Sequence, residues 1–203
     1  MRLCGYQHAM EPPFDGELVV RAMAGDRFAL DGLWRAHRRF AAAVLLAHQP
    51  RTADLEDLLQ DVAMKFVAQI HTLKSPGSFR PWLRTVARNV AMSHGRRQKV
   101  RSPFTTLSDA EPVDPAHEQA VRDGSIRDQL EDLLRIVRGL HVDYREPLLM
   151  RSVQGLSQRE IAEALDLPVT TIETRLARAR RLLRRELSNV EPAGSTEPTG
   201  GLK

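Results

Sequence analysis

The chain has 203 residues, 42% hydrophobic and 28% charged, with Lys+Arg 30 against Asp+Glu 26 and a formal net charge of +4. That suffices for one or two soluble domains, and no run approaches the roughly 20 apolar residues a membrane span requires. The single cysteine, Cys4, excludes an internal disulfide and cannot alone build a zinc site. Met1–Phe14 lacks the basic start and apolar block of a secretory leader, so a cytoplasmic protein without membrane insertion is expected.

Apolar residues recur at i, i+3 and i+4 almost throughout, and alternating β-branched runs are missing, which predicts an all-α fold. The chain opens with an N-terminal extension over 1–14, then a short helix near Glu17–Ala24 and a second over about Asp26–His48, with a break at Pro50. A third helix is expected over about Asp54–Leu73, with Leu55, Leu58, Leu59, Val62, Phe66 and Ile70 on one side. Asp54 is placed to cap it, and Asp57 adds an acid to its first turn. Lys74-Ser75-Pro76-Gly77-Ser78 has the chemistry of a loop. A fourth helix begins near Phe79 and carries Trp82, Val86 and Val90 at four-residue spacing, which puts Trp82 in the core.

These four helices make a domain over 15–98. Pro103, Pro112 and Pro115 mark 99–116 as a flexible, acidic linker. A helix over about His117–Leu140 opens a second small helical domain over 117–187, completed by Asp143–Gln154, Ser157–Leu165 and about Val169–Leu187. The tail over 188–203 has no apolar pattern and reads as disordered.

The modest net charge hides strong local fields. Arg84–Arg101 holds six basic residues and no acid, and Thr170–Leu187 holds six arginines against Glu173 and Glu186. Phe104–Asp132 between them holds eight acids and two arginines. Arginine outnumbers lysine 26 to 4, and its planar fork suits bidentate contact with phosphate and base edges. One such block would read as a solvated helix face; two, each backed by an apolar stripe, point to a polyanion partner. With aromatics at 5%, an RNA-reading module built on stacking platforms is disfavoured.

Residues 144–187 have the layout of a helix-turn-helix. Gly155 allows the turn out of the first helix, Ser157 caps the next with Glu160 at the capping-box position, and Thr170 or Thr171 can cap the last. Ile172, Leu176, Ala179 and Leu183 form its apolar stripe, opposite Glu173, Thr174, Ala177, Arg178 and Arg181. Side chains so placed can reach base edges and phosphates from a helix in a major groove. Such helix trios also occur as plain structural bundles; the arginine-rich outer face favours DNA.

Three segments carry a family resemblance. Asp54-Leu55-Glu56-Asp57-Leu58-Leu59-Gln60-Asp61-Val62 resembles the core-polymerase-binding helix of bacterial RNA polymerase sigma factors of the extracytoplasmic-function (ECF) group, in the sigma-70 family. Phe79-Arg80-Pro81-Trp82-Leu83-Arg84-Thr85-Val86-Ala87-Arg88-Asn89 resembles their promoter −10 segment. Gly155–Ala162 and Thr171–Arg180 resemble their −35 helix-turn-helix. The resemblance implies a region 2-like four-helix domain joined to a region 4-like helix-turn-helix domain, and a factor that binds core RNA polymerase and directs initiation at promoter DNA.

Carried over residue by residue, it implies polymerase contact at Asp57, Leu58, Gln60 and Asp61, and −10 contact at Ser75, Ser78, Arg84, Arg88, Asn89, Arg96 and Arg97. The loop over Leu73–Phe79 would hold a flipped base that Asn89 helps to read, and the arginines would hold phosphates. On the residues alone, Asn89 reads as an ordinary exposed helix position. At −35 the implied set is Thr171, Glu173, Thr174, Arg175, Ala177, Arg178 and Arg181. Arg178 could pair with guanine and Glu173 accept from a cytosine amine. Glu173 departs from the Lys or Arg common at its position, and its alternative role is to complement the helix N-terminus.

An anti-sigma partner is also implied. No cofactor, metal or small-molecule substrate is expected, and no catalytic constellation stands out, so an enzyme is not expected. Asp54, Glu56, Asp57 and Asp61 bring together carboxylates of the kind a two-metal nuclease uses, but no further ligand completes such a site. The rivals are an autonomous helix-turn-helix regulator, which would need a dimer seam, and a DNA-processing enzyme, which would need a nucleophile or metal set.

Overall fold

In the computed structural model, which describes residues 16–49, 53–101 and 126–190, no described residue lies in a strand. The chain forms helices α1 (Gly16–Met23), α2 (Arg27–His48), α3 (Leu55–Gln69), α4 (Phe79–Arg101), α5 (Ile126–Gly139), α6 (Val142–Leu149), α7 (Gln158–Leu165) and α8 (Val169–Val190). Two 3₁₀ turns, Ile70–Thr72 and Pro76–Ser78, lead from α3 to α4, and a π turn, Met150–Gln154, follows α6. No helix among the described residues is long and apolar enough to cross a membrane.

Several helix starts follow local chemistry. Asp26 accepts hydrogen bonds from the Phe28 and Ala29 amides, and Asp54 from those of Glu56 and Asp57 at 2.7 and 3.3 Å. Ser157 and Glu160 form a reciprocal capping box, satisfying amides that a helix N-terminus otherwise leaves unpaired. Gly155 ends the π turn at φ +83, a left-handed backbone that glycine adopts without a Cβ clash.

Other boundaries differ from the sequence expectation. α3 stops at Gln69, where the backbone departs to φ −121, ψ −6, and the following 3₁₀ turn buries Ile70 and, just after it, Leu73. The helix expected over 143–154 divides into α6 and the π turn. α8 begins at Val169, ahead of both threonines, so neither caps it; instead the Thr174 hydroxyl donates to the Thr170 carbonyl. α4 and α8 run on to Arg101 and Val190. The first residues of the expected 99–116 linker and 188–203 tail are therefore helical, and the rest of both, the expected helical stretch 117–125 and the extension over 1–14 lie outside the described residues.

The helices α1–α4 close around Phe40, Phe66 and Phe79, each at most 1% exposed. Trp34 and Trp82 flank this cluster, with ring centroids 5.9 Å from Phe66 and 6.1 Å from Phe79 respectively. Trp82 is half-buried at the edge of the core rather than inside it. In α5–α8, Met150, Leu156, Ile161, Ile172, Leu176 and Ala179 are buried. Ile161 lies on the apolar side expected of α7, and Ile172, Leu176 and Ala179 on that expected of α8.

The two helical halves share one core cluster, because α2 packs on α6 and the π turn as well as on α1, α3 and α4, while α4 packs on α7. In this seam Glu146 of α6, 4% exposed, receives both arms of the Arg84 guanidinium of α4 at 2.7 and 2.8 Å. His48 Nε2 of α2 lies 3.3 Å from the same carboxylate, without the alignment of a hydrogen bond. Burial pushes the Glu146 carboxyl up, but the His48 and Arg84 contacts outweigh it and lower its pKa to about 2. His37 of α2 is buried edge-on to Phe79, and this burial, with the Arg80 charge, lowers its pKa to about 4.

Both shifts make the fold acid-sensitive. Unfolded His37 takes a proton below about 6.5 and the folded form only near 4, so stability falls as pH drops through that window. Unfolded Glu146 takes its proton below about 4.5 and the folded form near 2, which extends the loss downward. Each window removes on the order of 3 kcal/mol at full extent. Urea midpoints measured from pH 7.5 to 3 should therefore fall in two stages, with His37→Phe flattening the upper one and Glu146→Gln the lower.

Candidate nucleic-acid interface

α8 has two sides of opposite character. Ile172, Leu176 and Ala179 anchor it in the core, and Glu173, Thr174, Ala177, Arg178 and Arg181 stand exposed on the other side. Thr171 and Arg175 are half-buried beside them. All seven expected −35 positions thus lie on one helix, and the exposed ones share a face separated from the core by the helix diameter. Two of the arginines are tied back to α6: Arg175 Nη1 is 3.5 Å from Asp143 Oδ1, and the Arg178 guanidinium lies over the Tyr144 ring, 5.5 Å from its centroid. Asp143, Tyr144, Thr170, Thr171, Thr174, Arg175 and Arg178 line one open cleft.

The expected −10 residues divide. Ser75 and Ser78 meet in the 3₁₀ turn before α4: the Ser78 hydroxyl donates to the Ser75 carbonyl at 2.8 Å, and the two hydroxyls are 3.0 Å apart. Arg88, Asn89 and Arg96 are exposed along α4. The Arg97 side chain lies outside the described ones, although its backbone is helical. Arg84 points into the seam and is engaged by Glu146, its side chain 22% exposed. Arg80, one turn earlier, donates to Glu160 of α7 at 3.0 Å. Burial pushes the Glu160 carboxyl up, but its bonds to the Ser157 backbone and side chain and to Arg80 hold it below the ordinary value.

On α3 the expected polymerase contacts also split. Asp57 and Gln60 are exposed and Asp61 is half-buried, with Oδ2 3.5 Å from His94 Nε2 of α4. Leu58 is fully buried, so its side chain holds α3 to the core and is not presented at the surface. The neighbouring acids face different partners: Asp54 caps α3 and Glu56 pairs with Arg38. Among the described residues no cluster of three or more His, Cys, Asp or Glu could hold a metal.

Sequence reasoning passed over Glu146, Tyr144 and Asp143. Glu146 had a signal: an acid directly preceding the buried run Pro147-Leu148-Leu149-Met150 must find donors elsewhere in the fold. Tyr144 and Asp143 had none, because only the packing of α6 against α8 brings them under the arginines.

Comparison with known proteins bears on both halves. Residues 33–101 match the family "Sigma-70 region 2" and residues 130–183 match "Sigma-70, region 4". RNA polymerase sigma factor NccH of Alcaligenes xylosoxydans is 30% identical over 181 residues, covering 85% of this chain and 94% of that protein. The ECF RNA polymerase sigma-E factor of Haemophilus influenzae is 29% identical over 180 residues, covering 85% and 95%. Among solved structures, CnrH in complex with the cytosolic domain of CnrY shares the fold with TM-score 0.61 and 24% identity, over 87% of this chain and 99% of that one. The sigma factor RpoE in complex with the anti-sigma factor NepR from Bartonella quintana does so with TM-score 0.55 and 23% identity, over 79% and 97%.

The seam itself yields a prediction. Glu146→Ala leaves the Arg84 guanidinium without its carboxylate in a largely apolar contact, which should cost about 3 kcal/mol in chemical denaturation. The double replacement Arg84→Met with Glu146→Leu should recover most of that loss, because it removes both charges at once.

Proposed function

Since this chain belongs to the ECF group of RNA polymerase sigma factors, within the sigma-70 family, we propose a division of labour among its helices. The protein is a transcription initiation factor that directs core RNA polymerase to promoters, and an autonomous helix-turn-helix regulator is not favoured. In the proposed scheme residues 15–98 carry the polymerase and −10 functions and residues 117–187 the −35 function. Asp57 and Asp61 supply negative charge to the polymerase and Gln60 a hydrogen-bonding amide beside them, with Leu58 acting through the position it gives α3. Bond-making chemistry stays with the polymerase, so no residue of this chain is catalytic. A cytoplasmic location and control by an anti-sigma partner complete the proposal. The fold shared with a sigma factor seated on NepR supports that partner.

The observation that carries the −35 reading is the exposed face of α8, on which Glu173, Thr174, Ala177 and Arg178 stand clear of the core. A helix docked by this face puts Arg178 at base edges, where a bidentate pair with guanine discriminates by about 1–3 kcal/mol. Arg175 and Arg181 beside it meet phosphates, which fix the helix in register without reading sequence.

On α4, Arg88, Asn89 and Arg96 face outward toward single-stranded −10 DNA, and Ser75 with Ser78 offers a preformed polar turn beside it. Arg84 joins them only when Glu146 moves away, because the carboxylate occupies the bidentate slot a phosphate would take. The −10 contact is therefore coupled to separation of the two halves.

Run-off transcription with core polymerase and a promoter library tests the scheme. Promoter-specific transcripts should appear with the protein and fall at least tenfold for Arg178→Ala and Asn89→Ala; no stimulation of core polymerase overturns it. For the coupling, Glu146→Gln should raise the affinity of the free chain for single-stranded −10 DNA severalfold in fluorescence anisotropy. An unchanged affinity would show that Arg84 plays no part in that contact.

A further inference from the structure

We propose that Tyr144 is a specificity-positioning residue for −35 recognition: its ring supports the Arg178 guanidinium in the orientation that reads a base. This rests on Arg178 acting at the −35 element, as proposed above. Tyr144 belongs to α6, outside the recognition helix, and its ring is half-buried while Arg178 is exposed. The guanidinium lies 5.5 Å from the ring centroid, within the range of a cation–π contact. A free arginine explores many rotamers, and base reading requires a single planar orientation. A ring beneath the guanidinium removes part of that freedom before DNA arrives, and the π face leaves the fork edge open for a bidentate pair.

The surroundings hold the ring itself in place. The His141 ring stands edge-on to Tyr144 at a centroid distance of 6.2 Å, and the Asp143 amide lies 3.4 Å from His141 Nδ1 at the start of α6. Asp143 Oδ1 lies 3.5 Å from Arg175 Nη1, so two successive arginines of α8 on this side are steadied by adjacent residues of α6. The cleft bounded by Tyr144, Asp143 and the first turns of α8 opens outward, which leaves the Arg178 fork accessible.

The test uses the full chain in holoenzyme with a template library randomised over the −35 element, comparing Tyr144→Phe, Tyr144→Leu, Tyr144→Ala and Arg178→Ala. The readout is the ratio of transcripts from templates differing at one base pair, which does not depend on the amount of active protein. Arg178→Ala should abolish the preference at one position. Tyr144→Leu and Tyr144→Ala should weaken the preference there by about three- to fivefold, as loss of an exposed cation–π contact implies, and Tyr144→Phe should keep it. If Leu restores the preference as well as Phe does, the ring acts only as packing and the proposal fails. It also fails if Phe is as poor as Ala, since the hydroxyl would then be what matters. A normal preference in every Tyr144 variant, with Arg178→Ala still defective, overturns the positioning role alone. An unaffected Arg178→Ala overturns the reading of Arg178 and the positioning role with it.

Discussion

A carboxylate buried between two helical halves is the constraint from which much of this molecule follows. Glu146 starts the apolar run that seats α6 on the first half, and an ionised group there is tolerated only if donors surround it. α6 cannot provide them, so they come from the Arg84 fork of α4, with the His48 ring of α2 lying 3.3 Å from the same carboxylate. Apolar packing between α2 and α6 is non-directional and would accept small slides, whereas a bidentate pair has one good geometry. The pair therefore sets the register of the second half against the first, with Arg80 and Glu160 reinforcing it one turn away.

That register has a functional consequence. The arginines of α4 are not equivalent, although they are indistinguishable by residue type. Arg88 and Arg96 remain at the surface, while Arg84 is engaged by a side chain that presents two oxygens in much the way a phosphate does. The exposed face of α8 carries an acid of its own, Glu173, and two of its arginines, Arg175 and Arg178, are steadied by a carboxylate and a ring of α6 at the margin. The proposed −35 surface is thus open in the same arrangement in which part of the proposed −10 surface is covered.

Where the chain's own local chemistry decides, the sequence was a good guide. Asp54 as a cap, the Ser157–Glu160 box and the left-handed Gly155 each depend on residues within a few positions, and each is found as expected. The buried stripe of α8 was legible for the same reason, since its spacing alone implies one apolar side. Expectations failed where packing overrode local preference. Apolar spacing carried α3 on to Leu73, but the chain tightens at Gln69 and buries Ile70 and Leu73 from a 3₁₀ turn. Thr170 and Thr171 are good capping residues by type, yet α8 begins ahead of them. Leu58 belongs to the polymerase-binding pattern and to the core stripe at once, and its burial leaves only its neighbours to face outward.

By itself, the sequence determined the helical class, most of the helix starts, the two basic helices and the family to which their order belongs. Those properties are set by interactions spanning one or two helical turns, or by residue types at fixed spacing. The tertiary structure alone decided that Arg84 meets Glu146, 62 positions away, and that Tyr144 lies beneath Arg178. Such pairs arise when separate amphipathic helices bury their apolar faces together. The side chains at the edges of those faces then acquire neighbours that no local spacing encodes.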